Sequence, residues 1–210
     1  MATASLVLTD DSTISRLDRI LVRIERFLAL LSGLAVFALM LLAVYSVGGR
    51  NFFGSPVRGY VDWIEQAMPL IAFMGIAWVQ REGGHIRMDM LVGALRGRAL
   101  WIAEFITTFA ILLLMLLLVW GSWAHFDRSF DMSAPMWSRD SSMDIGLPLW
   151  PAKLLAPVAF AFLCLRCVLQ LVAYGRAIAL GLESPVAVPL VQSAAEIAAA
   201  EAKTVAGGRE

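Results

Sequence analysis

Between Phe27 and Val47 the chain reads FLALLSGLAVFALMLLAVYSV, a run without a single charge. At about 1.5 Å per residue such a run, wound as a helix, crosses the roughly 30 Å hydrocarbon core of a bilayer. A helix is also the form in which one segment satisfies all its own backbone polar groups in lipid. A secretory signal has a shorter apolar core of about 7–15 residues close to the N-terminus, so this block reads as an uncleaved anchor. Composition points the same way: 60% apolar residues and a mean hydropathy of +0.75 exceed what a soluble domain carries, and 16% charged residues fall short of it. The 17 basic and 17 acidic side chains cancel, which leaves no cationic excess for nucleic acid.

Three further blocks follow. Gln66 to Gln80 is uncharged but too short alone, and it becomes long enough when started at Val61. Asp62, Trp63 and Glu65 then stand at one membrane boundary and Trp78 at the other, with Pro69 loosening the first turns. Phe105 to Ala124 is free of charge and extends back to Trp101. The last block opens near Trp150 and carries Lys153, Pro157 and Arg166; the two cations are expected to snorkel toward opposite surfaces. Ahead of the first span, residues 12–26 place Ile14, Leu17, Leu21 and Ile24 at helical spacing, with Arg16, Asp18, Arg19, Arg23, Glu25 and Arg26 on the remaining arc. This amphipathic helix either lies on the bilayer with its arginines at lipid phosphates or packs against its own protein.

The expected fold class is an all-α integral membrane protein, with four transmembrane helices in up-down order after an N-terminal amphipathic interfacial helix. Residues 1–26 form a cytoplasmic N-terminus, 27–175 the membrane domain, with spans at about 27–47, 61–80, 101–124 and 150–172, and 176–210 a cytoplasmic Ala-rich tail. Positive-inside bias sets the orientation. Arg16, Arg19, Arg23, Arg26, Arg81, Arg87, Arg96, Arg98, Arg166 and Arg176 fall on one side, and only Arg50, Arg58, Arg128, Arg139 and Lys153 on the other. Both termini are therefore placed in the cytoplasm.

Reactive chemistry is sparse. His85 and His125 are the only histidines, and this topology sets a bilayer between them, which disfavours a haem held by both. Cys164 and Cys167 lie in an apolar run and read as packing; a lone CxxC does not complete a zinc site. No phosphate-binding loop or nucleophile elbow is present, so no enzymatic activity and no cofactor are expected. Polar residues cluster instead at two places. One is the turn REGGHIRMDML, Arg81 to Leu91, where Arg81, His85, Arg87 and Asp89 can form a knot against a partner or lipid headgroups. The other is Arg50 with Asn51, Trp63 and Glu65 at the opposite surface. The bland reading makes both solvated boundary residues.

VGGRNFFGSP after the first span, WIE opening the second, the REGGHIRMDML turn and DSSMDIGLPLWPAKLLAPVAF leading into the fourth together resemble the small membrane subunit (DctQ-like) of tripartite ATP-independent periplasmic (TRAP) transporters. The likeness covers roughly residues 15–175. It implies a non-catalytic scaffold in the bacterial inner membrane, beside a large permease subunit that carries the substrate and sodium sites. A periplasmic solute-binding protein would deliver an organic acid. The resemblance assigns partner-contact or structural roles to Arg50, Trp63, Glu65, Arg81, Gly84, His85, Arg87 and Asp89. Arg16, Arg19, Arg23 and Arg26 are expected at lipid headgroups. The doubled glycine at Gly83 and Gly84 and the long C-terminal tail depart from the family pattern. The competing class is a haem- or quinone-binding membrane anchor of an oxidoreductase. Which solute is carried is not written in this chain.

Overall fold

The computed structural model describes residues 13–81 and 98–181 together with Val188. The first helix, α1, runs from Thr13 to Phe53. No proline interrupts these residues, and leucine, alanine and arginine dominate them, so nothing halts helix propagation. At 41 residues α1 is about 61 Å long, roughly twice a hydrocarbon core. The amphipathic stretch and the first apolar block are thus one rod, with no boundary between Arg26 and Phe27. Gly54 follows in the left-handed region, φ 63°, where a side chain would be strained and a helix readily ends.

The second apolar block is divided. Helix α2 spans Tyr60–Phe73 and helix α3 Ile76–Arg81, with a turn at Met74 and Gly75 between them. Pro69 lies inside α2 and cannot donate to the carbonyl one turn back; the break follows one turn later. Helix α4 covers Arg98–Ser129 and helix α5 Trp150–Leu180. Pro151 sits in the first turn of α5, where no amide hydrogen is needed, and Gly181 closes it at φ 64°. Among the described residues, three helices are long and apolar enough to cross a membrane: α1, α4 and α5. The described structure is all-helical, apart from a 3-10 turn at Pro135–Trp137 and two isolated bridges in the α4–α5 loop.

Helices α4 and α5 pack along their length in opposite directions. Gly181 approaches Arg98 at one end, Tyr174 stacks on Trp101 with centroids 6.1 Å apart, and Phe130 meets the edge of Trp150 at the other end. Small residues on α5, namely Ala159, Ala173 and Ala177, are buried and let neighbouring backbones close in, the usual basis of helix association in lipid. A compact cluster of Trp101, Ala173, Tyr174, Ala177 and Val188 forms the core at this end. Phe73 of α2 packs on Phe160 of α5 at 5.2 Å, and Ser32 of α1 donates to the Ile71 carbonyl at 3.0 Å.

Candidate functional site

Asp18 and Glu25 are seven residues apart, hence two turns apart on nearly the same face of α1. That face, with Ser15, Leu21 and Val22, is the buried one. The carboxylates meet Arg166 of α5, whose side chain is 0% exposed. Arg166 donates to both oxygens of Glu25, from Nε at 2.8 Å and from Nη2 at 2.6 Å, the bidentate geometry that suits a guanidinium. Its Nη1 donates to Asp18. Arg81, at the end of α3, reaches the same Asp18 from Nε at 3.4 Å and Nη2 at 3.2 Å. Two cations and two anions therefore close a neutral network at the end of the apolar block of α1. In a dry environment, an ion left alone would cost several kcal/mol.

The network is the first rung of a ladder on α5. Arg166, Gln170 and Tyr174 recur at intervals of four, so they line one face of the helix, and all three are buried. Gln170 accepts from the Gln80 amide of α3 at 2.9 Å. Tyr174 donates to Glu104 of α4 at 3.3 Å. One face of α5 thus ties down α1, α3 and α4 by successive polar contacts. Among the described residues, no buried side-chain nitrogen or oxygen lacks a hydrogen-bond partner, as lipid-embedded polar groups require.

A second polar assembly caps the opposite end. Asp62 opens α2 nearly buried and accepts from the Ser142 hydroxyl at 2.6 Å and from the amides of Ile145 and Asp144 at 2.8 and 3.2 Å. Asp144 in return accepts from the Gly59 amide at 2.8 Å, and Gln66 donates to the Pro148 carbonyl. Gly59 must be glycine twice over: its φ is 70°, and a Cβ would meet Ile145 at 2.4 Å. Lys153 joins Asp140 at 2.6 Å, the Ser129 hydroxyl donates to the same carboxylate, and these contacts hold the Asp140 carboxyl below its usual range, the Lys153 ammonium most strongly. Hydrogen bonds from Ser133, its hydroxyl first and then its amide, followed by Arg139, bring Asp131 down to about 2.

The residues singled out from sequence are scattered over this frame. Arg50, Trp63 and Glu65 are exposed, Arg50 in the last turns of α1 and the other two on α2. Arg81 is buried and bonded to Asp18. Gly84, His85, Arg87 and Asp89 lie outside the described residues, so the knot expected at that turn does too. Arg16, Arg19, Arg23 and Arg26 are exposed along α1, and Arg26 lies over Trp78 at 5.2 Å.

Two expectations are corrected. Arg166 does not snorkel to a surface, because two carboxylates neutralise it inside. Asp18 and Glu25 are not on the outer arc of an amphipathic helix but on its buried face, while Leu17 and Ile24 are exposed. Lys153 reaches Asp140 in the α4–α5 loop. Asp18, Glu25, Asp62, Glu104, Gln80, Gln170 and Tyr174 belong to these assemblies without standing out in the sequence as site residues. A signal for the ladder was present in the spacing 166, 170, 174.

Residues 39–174 match the family described as tripartite ATP-independent periplasmic transporters, DctQ component. This is more than half of the chain. It takes in Asp62, Arg81, Glu104, Arg166 and Gln170 but begins after Asp18 and Glu25. No curated protein matches the chain.

Proposed function

We propose, from the premise that this chain belongs to the DctQ family and is the small membrane subunit of a tripartite ATP-independent periplasmic transporter, that it acts as a non-catalytic brace for a large permease subunit. The observation that carries this reading is the ladder on α5. Arg166, Gln170 and Tyr174 bind α1, α3 and α4 to one helix. A bundle locked at three levels by desolvated polar contacts resists sliding, and a partner that moves across the bilayer needs such a fixed wall.

In this reading the α2–α3 pair supplies a fourth crossing, and both termini face the cytoplasm of a bacterial inner membrane. The large subunit carries sodium-coupled uptake of an organic acid delivered by a periplasmic binding protein. Arg50, Trp63, Glu65, Arg81, Gly84, His85, Arg87 and Asp89 serve as partner-contact or structural positions. The haem- or quinone-anchor alternative draws no support from the family match.

The test is genetic and biochemical together. Deleting this chain should abolish sodium-dependent organic-acid uptake, and a tagged copy should recover a large multi-span protein from solubilised membranes. Uptake that persists unchanged in the deletion strain would refute the brace, as would a tagged chain recovered alone.

A further inference from the structure

The N-terminal third of α1 has three faces. Asp18, Val22 and Glu25 turn into the bundle. Leu17, Ile20, Ile24 and Phe27 form an exposed apolar stripe, at 52%, 58%, 38% and 63% exposure. Arg16, Arg19, Arg23 and Arg26 are exposed as well and, at about 100° per residue, fall within about 80° of one another beside that stripe. Taken as sequence the segment has mixed charge. Its two carboxylates, however, are held inside by Arg81 and Arg166, so only cations face outward.

We propose that this face of α1 binds anionic phospholipid headgroups. Planar guanidiniums match phosphate in two-point contacts, and a cluster of basic residues next to an apolar span draws anionic headgroups. Continuity favours lipid over a protein groove. The apolar stripe runs on through Leu31 and Leu34 into the charge-free part of α1, so the arginines flank the same face that lipid chains would cover. Arg26, stacked over Trp78 at 5.2 Å, marks where this face meets α3. The inference goes beyond the brace and rests only on α1 crossing a bilayer, so it stands or falls apart from the transporter reading.

The experiment titrates the delipidated full-length chain in detergent with phosphatidylglycerol or phosphatidylcholine and counts retained lipids by native mass spectrometry. At about five-fold per arginine near an anionic surface, two engaged arginines give a preference for phosphatidylglycerol of roughly 25-fold. Replacing Arg16, Arg19, Arg23 and Arg26 together by Gln should bring the preference to about one, whereas replacing them by Lys should keep most of it. Equal retention of the two lipids by the wild type would overturn the proposal, and so would a preference that survives the fourfold Gln change. Photo-cross-linking from Ile20→Cys and Ile24→Cys in intact membranes separates the remaining occupant: adducts to phospholipid support the proposal, and adducts chiefly to a large polypeptide overturn it.

Discussion

Replacing Arg166 by Met tests whether the network holds the bundle by charge balance. Arg166 supplies both of the charged hydrogen bonds to Glu25 and one to Asp18. After its loss, Asp18 still has Arg81 at 3.2 Å, but Glu25 is left buried without its guanidinium partner. Removing one partner of a buried pair costs about 3–5 kcal/mol. For a chain of this length, where 1 kcal/mol moves the midpoint by about 2–4 °C, Arg166→Met should lower the thermal unfolding temperature by roughly 6–20 °C. Adding Glu25→Leu removes the stranded carboxyl and leaves the neutral Asp18–Arg81 pair. An apolar replacement of a whole ion pair is often near neutral, so the double variant should lie within about 4 °C of wild type. The assay is fluorescence-detected unfolding of the full-length chain in one detergent, run as a double-mutant cycle. A double variant as unstable as the single one would refute the charge-balance argument, and so would a shift below about 2 °C for Arg166→Met alone.

Three other outcomes are expected. Gly59→Ala adds a Cβ at 2.4 Å from Ile145 on a residue at φ 70°; it should destabilise by about 1–3 kcal/mol, and Ile145→Ala in the same chain should recover the steric part but not the backbone part, read by thermal unfolding. Asp131, at about 2 against an ordinary 3.8, is depressed in the fold, so its contribution is fully present above pH 3.8 and is lost as pH falls through about 2; its carboxyl resonance should titrate near that value, and Ser133→Ala should move the midpoint upward. A thiol at Ser141→Cys should react with an impermeant label from outside intact cells and one at Ser193→Cys only after permeabilisation, with the reverse pattern contradicting the proposed orientation.

Much of the fold is legible because charge-free length is a coarse and strong signal. Phe27–Val47, Phe105–Ala124 and the run after Trp150 each fall within a long helix. The split of the second block at Met74 and Gly75 was only half visible, since Pro69 foretold a loosened ladder and not where it would break. The network was hidden by an assumption borrowed from soluble proteins, that charged residues mark the outer face of a helix. In α1 that assumption sorts Asp18 and Glu25 with the four arginines. Their partners, Arg81 and Arg166, lie far along the chain, and only tertiary packing reveals which charges neutralise which. Four of the residues assigned from the resemblance fall outside the described segments, and Arg50, Trp63 and Glu65 are exposed.

The hydrogen bonds from Arg166 back to Glu25 and Asp18 span 141 and 148 residues. A ribosome adding about 5–20 residues per second needs roughly 7–30 s to cover that distance. Throughout this interval the opening helix has emerged while its latch has yet to be made, so its acidic face must stay at the water boundary or under a chaperone's cover. Among the described helices, the one made last fastens the one made first, so the latch closes only once α5 has been synthesised.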